Sequence, residues 1–179
     1  MMISALTAPA GMLIFSYGMV YAALTDLTSM TIRNSLVLVL FAAYAVLAPL
    51  AGFTPHEIGL SAAIAAGTLL VGFLFFARGW MGGGDAKLAA VTVLWFGADH
   101  TPVYLMYTAL FGGAFTLLIL WFRVHELPAW LQSSPWIARL HLLGSDVPYG
   151  VAMAVAALAV FPETRWRSEE RRVGKECRL

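Results

Sequence analysis

The chain has 179 residues, 60% of them hydrophobic and only 12% charged, with a formal net charge of +1. A soluble domain of this size needs far more polar surface, so the composition points to an integral membrane protein with its apolar surface turned to lipid. The near-neutral balance gives no electrostatic case for nucleic acid, and a single cysteine, Cys177, excludes a disulfide framework and a cysteine-based zinc site.

Apolar runs cover about residues 8–25, 34–53, 59–77, 86–98, 102–122 and 147–161. They predict an all-α membrane protein of about six transmembrane helices. The first lysine or arginine is Arg33, and no clear small-x-small site precedes Asp26, so the first run reads as a retained span, not a cleaved signal. The second, third and fifth runs suit a hydrocarbon core of ~30 Å at ~1.5 Å per helical residue. The fourth and sixth are short, which implies tilt, extension by flanking residues or, for the fourth, a re-entrant path. No internal repeat is evident, and residues 1–162 read as one polytopic membrane domain. Residues 163–179, with the run "RWRSEERRVGKECRL", change abruptly to dense mixed charge and read as a disordered or non-native tail.

Basic residues in the short loops set the orientation. Arg33 follows span one, Arg78 and Lys87 flank the turn between spans three and four, and Arg123 and Arg139 follow span five. The alternate loops, "FTPHE" and "GADHT", have neither lysine nor arginine. The expected topology therefore puts the N-terminus outside and brings Asp26 and Asp85 to the cytoplasmic ends of their spans.

Carboxylates beside hydrocarbon are costly and are functional candidates by default. A single such Asp is most simply an interfacial cap or a partner for Arg33 or Lys87. Two on one side, one of them behind the glycines of "GGGDAKL", point to chemistry. Glycines 82–84 permit backbone conformations closed to other residues and let another chain approach closely. They also serve as an ordinary turn. Two aspartates held together away from water share a proton, leaving one as base and one as acid. That pairing suits hydrolysis, with one carboxylate deprotonating the attacking water and the other protonating the scissile carbonyl oxygen.

Gly82-x-Gly84-Asp85 resembles the GxGD motif of intramembrane aspartyl proteases. Its setting resembles the type IV prepilin peptidases, especially the short branch serving Flp-type (tight-adherence) pili. "DLTSMTIRNSL" supplies Asp26, Ile32 and Asn34, with Arg33 where that family usually has proline, and "VPYGVAMA" supplies Pro148, Tyr149 and Gly150. The resemblance spans roughly residues 10 to 162. It implies a GxGD aspartyl protease-like bundle in the bacterial inner membrane that removes the short basic leader of prepilins at the cytoplasmic face. It implies Asp26 and Asp85 as the catalytic pair and no cofactor. Longer relatives carry a cysteine-paired zinc domain and methylate the new N-terminus; with neither those cysteines nor room for that domain, this chain is expected to cleave without N-methylation.

Other residues divide between plain and functional readings. Tyr149 and Gly150 either simply start the last helix after Pro148 or wall the substrate groove. Asn34 reads first as a cap of the second span, and Lys87 as a headgroup-level cation able to tune Asp85. Asp146 is the weakest rival for the second acid. The four histidines fall in loops without metal-ligand spacing, so no metal site is expected. Trp80, Trp95, Trp121 and Trp130 read as interfacial anchors. The main alternative function is a small ion-coupled transporter using the intramembrane acids. A non-catalytic scaffold ranks last.

Overall fold

The computed structural model describes residues 2–126, 128–142 and 146–166. Helix α1 spans Met2–Ser29, α2 Asn34–Leu50, α3 Pro55–Ala77 and α4 Gly83–Val124. Two short helices follow, α5 at Ala129–Gln132 and α6 at Pro135–His141, and α7 spans Tyr149–Val160 before a 3-10 turn at Phe161–Glu163. No strand occurs among the described residues. Thr7–Ser29, Pro55–Ala77 and Gly83–Val124 are long and apolar enough to cross a membrane, and α2 and α7 are shorter apolar helices.

The 42 residues of α4 would reach ~63 Å if straight, about twice a hydrocarbon core. They do not run straight. Gly97 breaks the helix with φ 67° and ψ −168°, a region that favours glycine. Asp85, near the start of α4, lines a cleft with Asp146. Arg123, near its end, donates to the carbonyls of Leu140 (2.8 Å) and Asp146 (3.2 Å). Both ends of α4 therefore lie at one end of the bundle, and Gly97 turns the chain back at the other. The fourth and fifth apolar runs are the two arms, residues 83–96 and 98–124. The expected loop "GADHT" is replaced by a one-residue break followed directly by helix.

Helix α3 shows how a lipid-facing helix is patterned. Its buried residues are Ser61 and Gly72, whereas Leu69, Leu70, Val71, Phe73, Leu74, Phe75 and Phe76 are exposed. Small residues face protein and large apolar ones face outward, as expected where lipid is as apolar as leucine and close packing drives association. A Cβ added at Gly72 would stand 2.8 Å from that of Ala86, so the helices meet closely beside Asp85. Thr54 and Glu57 form a capping box that starts α3 four residues before the apolar run.

Far from the acids, the bundle closes around aromatic rings. Phe15 stacks on Phe161 at 4.2 Å, and Trp95 lies 4.8 Å from Trp166. The Trp166 indole donates to the Trp95 carbonyl (3.1 Å), and the Trp95 indole to that of Leu40 (3.1 Å). Trp95, expected at the interface, is thus a core residue, whereas Trp80, Trp121 and Trp130 are exposed. The packed unit also runs past residue 162: Thr164 and Trp166 are buried, and Arg165 pairs with Glu57 over the Phe53 ring. Residues 167–179 of the expected tail lie outside the described residues.

Candidate active site

Helix α1 ends in hydroxyl residues that return hydrogen bonds to its own carbonyls: Thr25 to Tyr21, Thr28 to Leu24 and Ser29 to Thr25. These are second bonds to carbonyls already inside the helix ladder, the local back-bonding that serine and threonine make in helices. Met30 then takes a left-handed conformation, φ 52°, at the position where glycine is the usual choice. Asp26 lies in that last turn and is only 5% exposed.

What holds Asp26 comes from far along the chain. The Gly150 N–H, in the first turn of α7, donates to Asp26 Oδ2 at 2.7 Å. A helix N-terminus offers free N–H groups and a favourable dipole to a carboxylate, so a buried Asp finds compensation there. Glycine is required by the approach: a Cβ at 150 would meet Oδ2 at 2.8 Å, Cγ at 3.0 Å and the Ile32 side chain at 3.0 Å. Pro148 is buried and precedes α7 as its N-cap, with no N–H to leave unpaired.

Asp85 occupies the first turn of α4, again at the positive end of a helix. Its carboxyl turns back over Gly82, where an added Cβ would lie 3.0 Å from Oδ2. The conformational freedom that the three glycines permit is not used at positive φ. Gly82 has an ordinary φ of −66°, and the positive-φ glycines described are Gly52, Gly79 and Gly97. The close approach they also permit is used, because a Cβ at Gly84 would press on Ile32 at 3.1 Å. Ile32 thus touches both glycine contacts, Gly84 on α4 and Gly150 on α7, and ties the segment after Asp26 to each.

Asp26 and Asp85 line one cleft of about 630 Å³. Asp146, Pro148 and Tyr149 share it, with Met30, Phe75, Trp80 and Met81 among the apolar walls. Asp146 is exposed there. Lys87 and Asn34 are not among the residues lining the cleft; they pair with each other, Nζ to Oδ1 at 2.9 Å, which ties the start of α4 to the start of α2. Asn34 is therefore no cap: Arg33 holds the N-cap position of α2, without a side-chain hydrogen bond. No group of three or more His, Cys, Asp or Glu residues able to hold a metal ion occurs among the described residues.

A family model described as the type IV leader peptidase family matches residues 13–117, more than half of the chain and a stretch that includes both aspartates. The chain belongs to that family. No curated protein and no solved structure matches it. The chain is accordingly a type IV leader peptidase-like protease with a helical membrane body. The match ends before Pro148, Tyr149 and Gly150, which join the site through the fold.

Sequence reasoning missed several contributors. Met30, Phe75, Trp80 and Met81 are apolar in an apolar chain and carried no distinguishing signal. Gly112 and Thr108, which contact Tyr149 from the second arm of α4, sit inside a span. The adjacent pair Gly112-Gly113 was the one visible hint.

Proposed function

We propose that this leader peptidase is an aspartic endopeptidase in which Asp26 and Asp85 together activate water to cleave the leader from Flp-type prepilins. The observation that carries the reading is the shared cleft, which both carboxyls face from two helices far apart in sequence. The substrate is an extended peptide lying along the Gly79–Gly82 turn, with the scissile carbonyl between the acids. One carboxylate accepts a proton from water as its oxygen bonds to the carbonyl carbon. The other, protonated, donates to the carbonyl oxygen, and collapse of the tetrahedral intermediate passes a proton to the leaving amine. The glycine and helix-start contacts to each acid support pre-positioning, without which the dyad would spend its lifetime misaligned.

The reading places the site at the cytoplasmic face of a bacterial inner membrane, supported by Arg33, Arg78, Lys87, Arg123 and Arg139 in the connections on that side. Cleavage proceeds without N-methylation, in keeping with a four-residue link between α1 and α2 and a lone cysteine. No cofactor enters the step. The transporter alternative loses ground to family membership and to acids at one end of the bundle, not at its middle.

Co-expression with small Flp-type prepilins tests this. Leader removal, followed by gel mobility and N-terminal sequencing, should fall to background in Asp26→Asn and in Asp85→Asn while both variants accumulate in the membrane. Normal processing by both would end the proposal.

A further inference from the structure

Tyr149 opens α7, and its ring extends from the cleft wall to the second arm of α4. Its hydroxyl donates to the Thr108 carbonyl at 3.2 Å. One turn on from Thr108, the helix has no side chain: a Cβ at Gly112 would stand 2.2 Å from the Tyr149 hydroxyl oxygen, 2.3 Å from Cζ and 2.4 Å from Cε2. The ring tip fills the place a side chain at 112 would take. At Gly113, next along the same helix, an added Cβ meets nothing within 4 Å.

We propose that Gly112 is a positioning residue, a notch that seats the Tyr149 ring against α4 and so keeps the cleft beside Asp26 and Asp85 open to the peptide. The proposal rests on the dyad reading of that cleft. The steric case is direct. Real Cβ atoms do not stand 2.2 Å from another heavy atom, so alanine at 112 must expel the ring. The ring tip is the movable partner, being the far end of a side chain on the first turn of its helix. Leaving the notch, it loses the Thr108 carbonyl. On its other side Tyr149 already lines the cleft, which offers the displaced ring an open direction. The peptide then meets a narrowed groove next to Asp85, and the penalty falls on binding. The ordinary effect of the same change is the reverse, since alanine is the better helix former. A loss of function at Gly112 therefore cannot come from helix propensity.

Four membrane-expressed variants test this on a prepilin substrate: Gly112→Ala, Gly113→Ala, Tyr149→Leu, and Gly112→Ala combined with Tyr149→Leu. Gly112→Ala should lower processing by about tenfold or more, read as a rise in KM, the cost expected of a misplaced groove wall. Gly113→Ala should match the parent. Tyr149→Leu should be impaired by its own amount, and adding Gly112→Ala to it should cost nothing further. Parent-like processing by Gly112→Ala overturns the proposal. So does a loss confined to kcat, or an equal loss in the Tyr149→Leu background. If Gly112→Ala fails to accumulate, recovery in the double variant supports the seat and continued failure overturns it. The dyad reading fails separately: processing would then persist in the Asp→Asn variants whatever Gly112 does.

Discussion

The two ends of this bundle are built on opposite plans. At the aromatic end, Phe15, Trp95, Phe161 and Trp166 fill space with large rings, and both indole N–H groups are bonded to backbone carbonyls. At the acidic end the close contacts are made by the absence of side chains, at Gly72, Gly82, Gly84, Gly112 and Gly150. Rings close one end, with Gly11 and Gly18 making room for Trp166 and Leu40; at the other, glycines bring helices together and leave a cleft of about 630 Å³ between them. In a membrane protein, where burying apolar surface gains little over lipid, packing density and hydrogen bonds must hold the fold. The aromatic end supplies both, which frees the other end to hold two carboxyls beside an open cleft.

The largest effect expected of this division is on stability, at the end away from the acids. Trp166 is 1% exposed, and its removal deletes contacts with Trp95, Phe53 and Tyr44 together with an indole hydrogen bond. Trp166→Ala should cost about 3 kcal/mol or more, the range for buried tryptophan truncation. Equilibrium unfolding in mixed micelles measures this. The molecules that remain folded should still process substrate at the parent rate. A stable variant with lost activity would mean that the two ends are not independent.

Gly150→Ala is the matching test at the acidic end. The added methyl would stand 2.8 Å from Asp26 Oδ2, so either the carboxyl or the start of α7 must shift. A displacement of about 1 Å at a reacting group costs on the order of 10²-fold in rate. Initial rates of leader removal by purified protein should therefore fall by about that factor, with unfolding little changed. Parent-like activity would show that the Gly150 contact is not what aligns Asp26.

How much of this could be read from the sequence follows the same contrast. The acidic end was legible because charge in an apolar chain is conspicuous, and because Asp26, Asp85 and the Pro148-Tyr149-Gly150 run stand at span edges. The aromatic end was not. Helices apolar on every side have no amphipathic stripe, so nothing in the pattern separates a lipid-facing Trp121 from a core Trp95. Backbone sign was equally hidden. The conspicuous glycines at 82–84 proved to be contact glycines, whereas the positive-φ ones among the described residues, Gly52, Gly79 and Gly97, stood in unremarkable surroundings. Gly97 mattered most: reading "GADHT" as a loop gave the right number of apolar passes but missed the single-residue turn that returns Arg123 to the side of the acids. Trp166 was lost for another reason, since it lies within a run whose charge density marked the whole segment as tail.

The smallest effect, and the finest test of the contrast, concerns backbone strain. Met30 is the one non-glycine residue with positive φ among the described residues, and it lines the cleft directly after the helix that holds Asp26. A left-handed conformation costs an ordinary residue about 1–2 kcal/mol, and glycine escapes it. Glycine also gains freedom in the unfolded chain, which offsets part of the benefit. Met30→Gly should therefore stabilise the protein by about 1 kcal/mol or less, measured by the same unfolding equilibrium. Its second consequence separates strain from wall. If Met30 serves the cleft only as apolar lining, Met30→Gly and Met30→Ala should weaken substrate binding alike, although only glycine relieves the backbone. If instead the bend after Asp26 is what matters, Met30→Ala should keep the parent rate and Met30→Gly should lose it as the end of α1 loosens. The Met30 N–H bonds to the Asp26 carbonyl at 2.8 Å, so a loosened bend acts on the residue that bears the carboxyl. The second outcome would make strain part of how the acidic end holds its shape, a role with no counterpart among the rings at the other end.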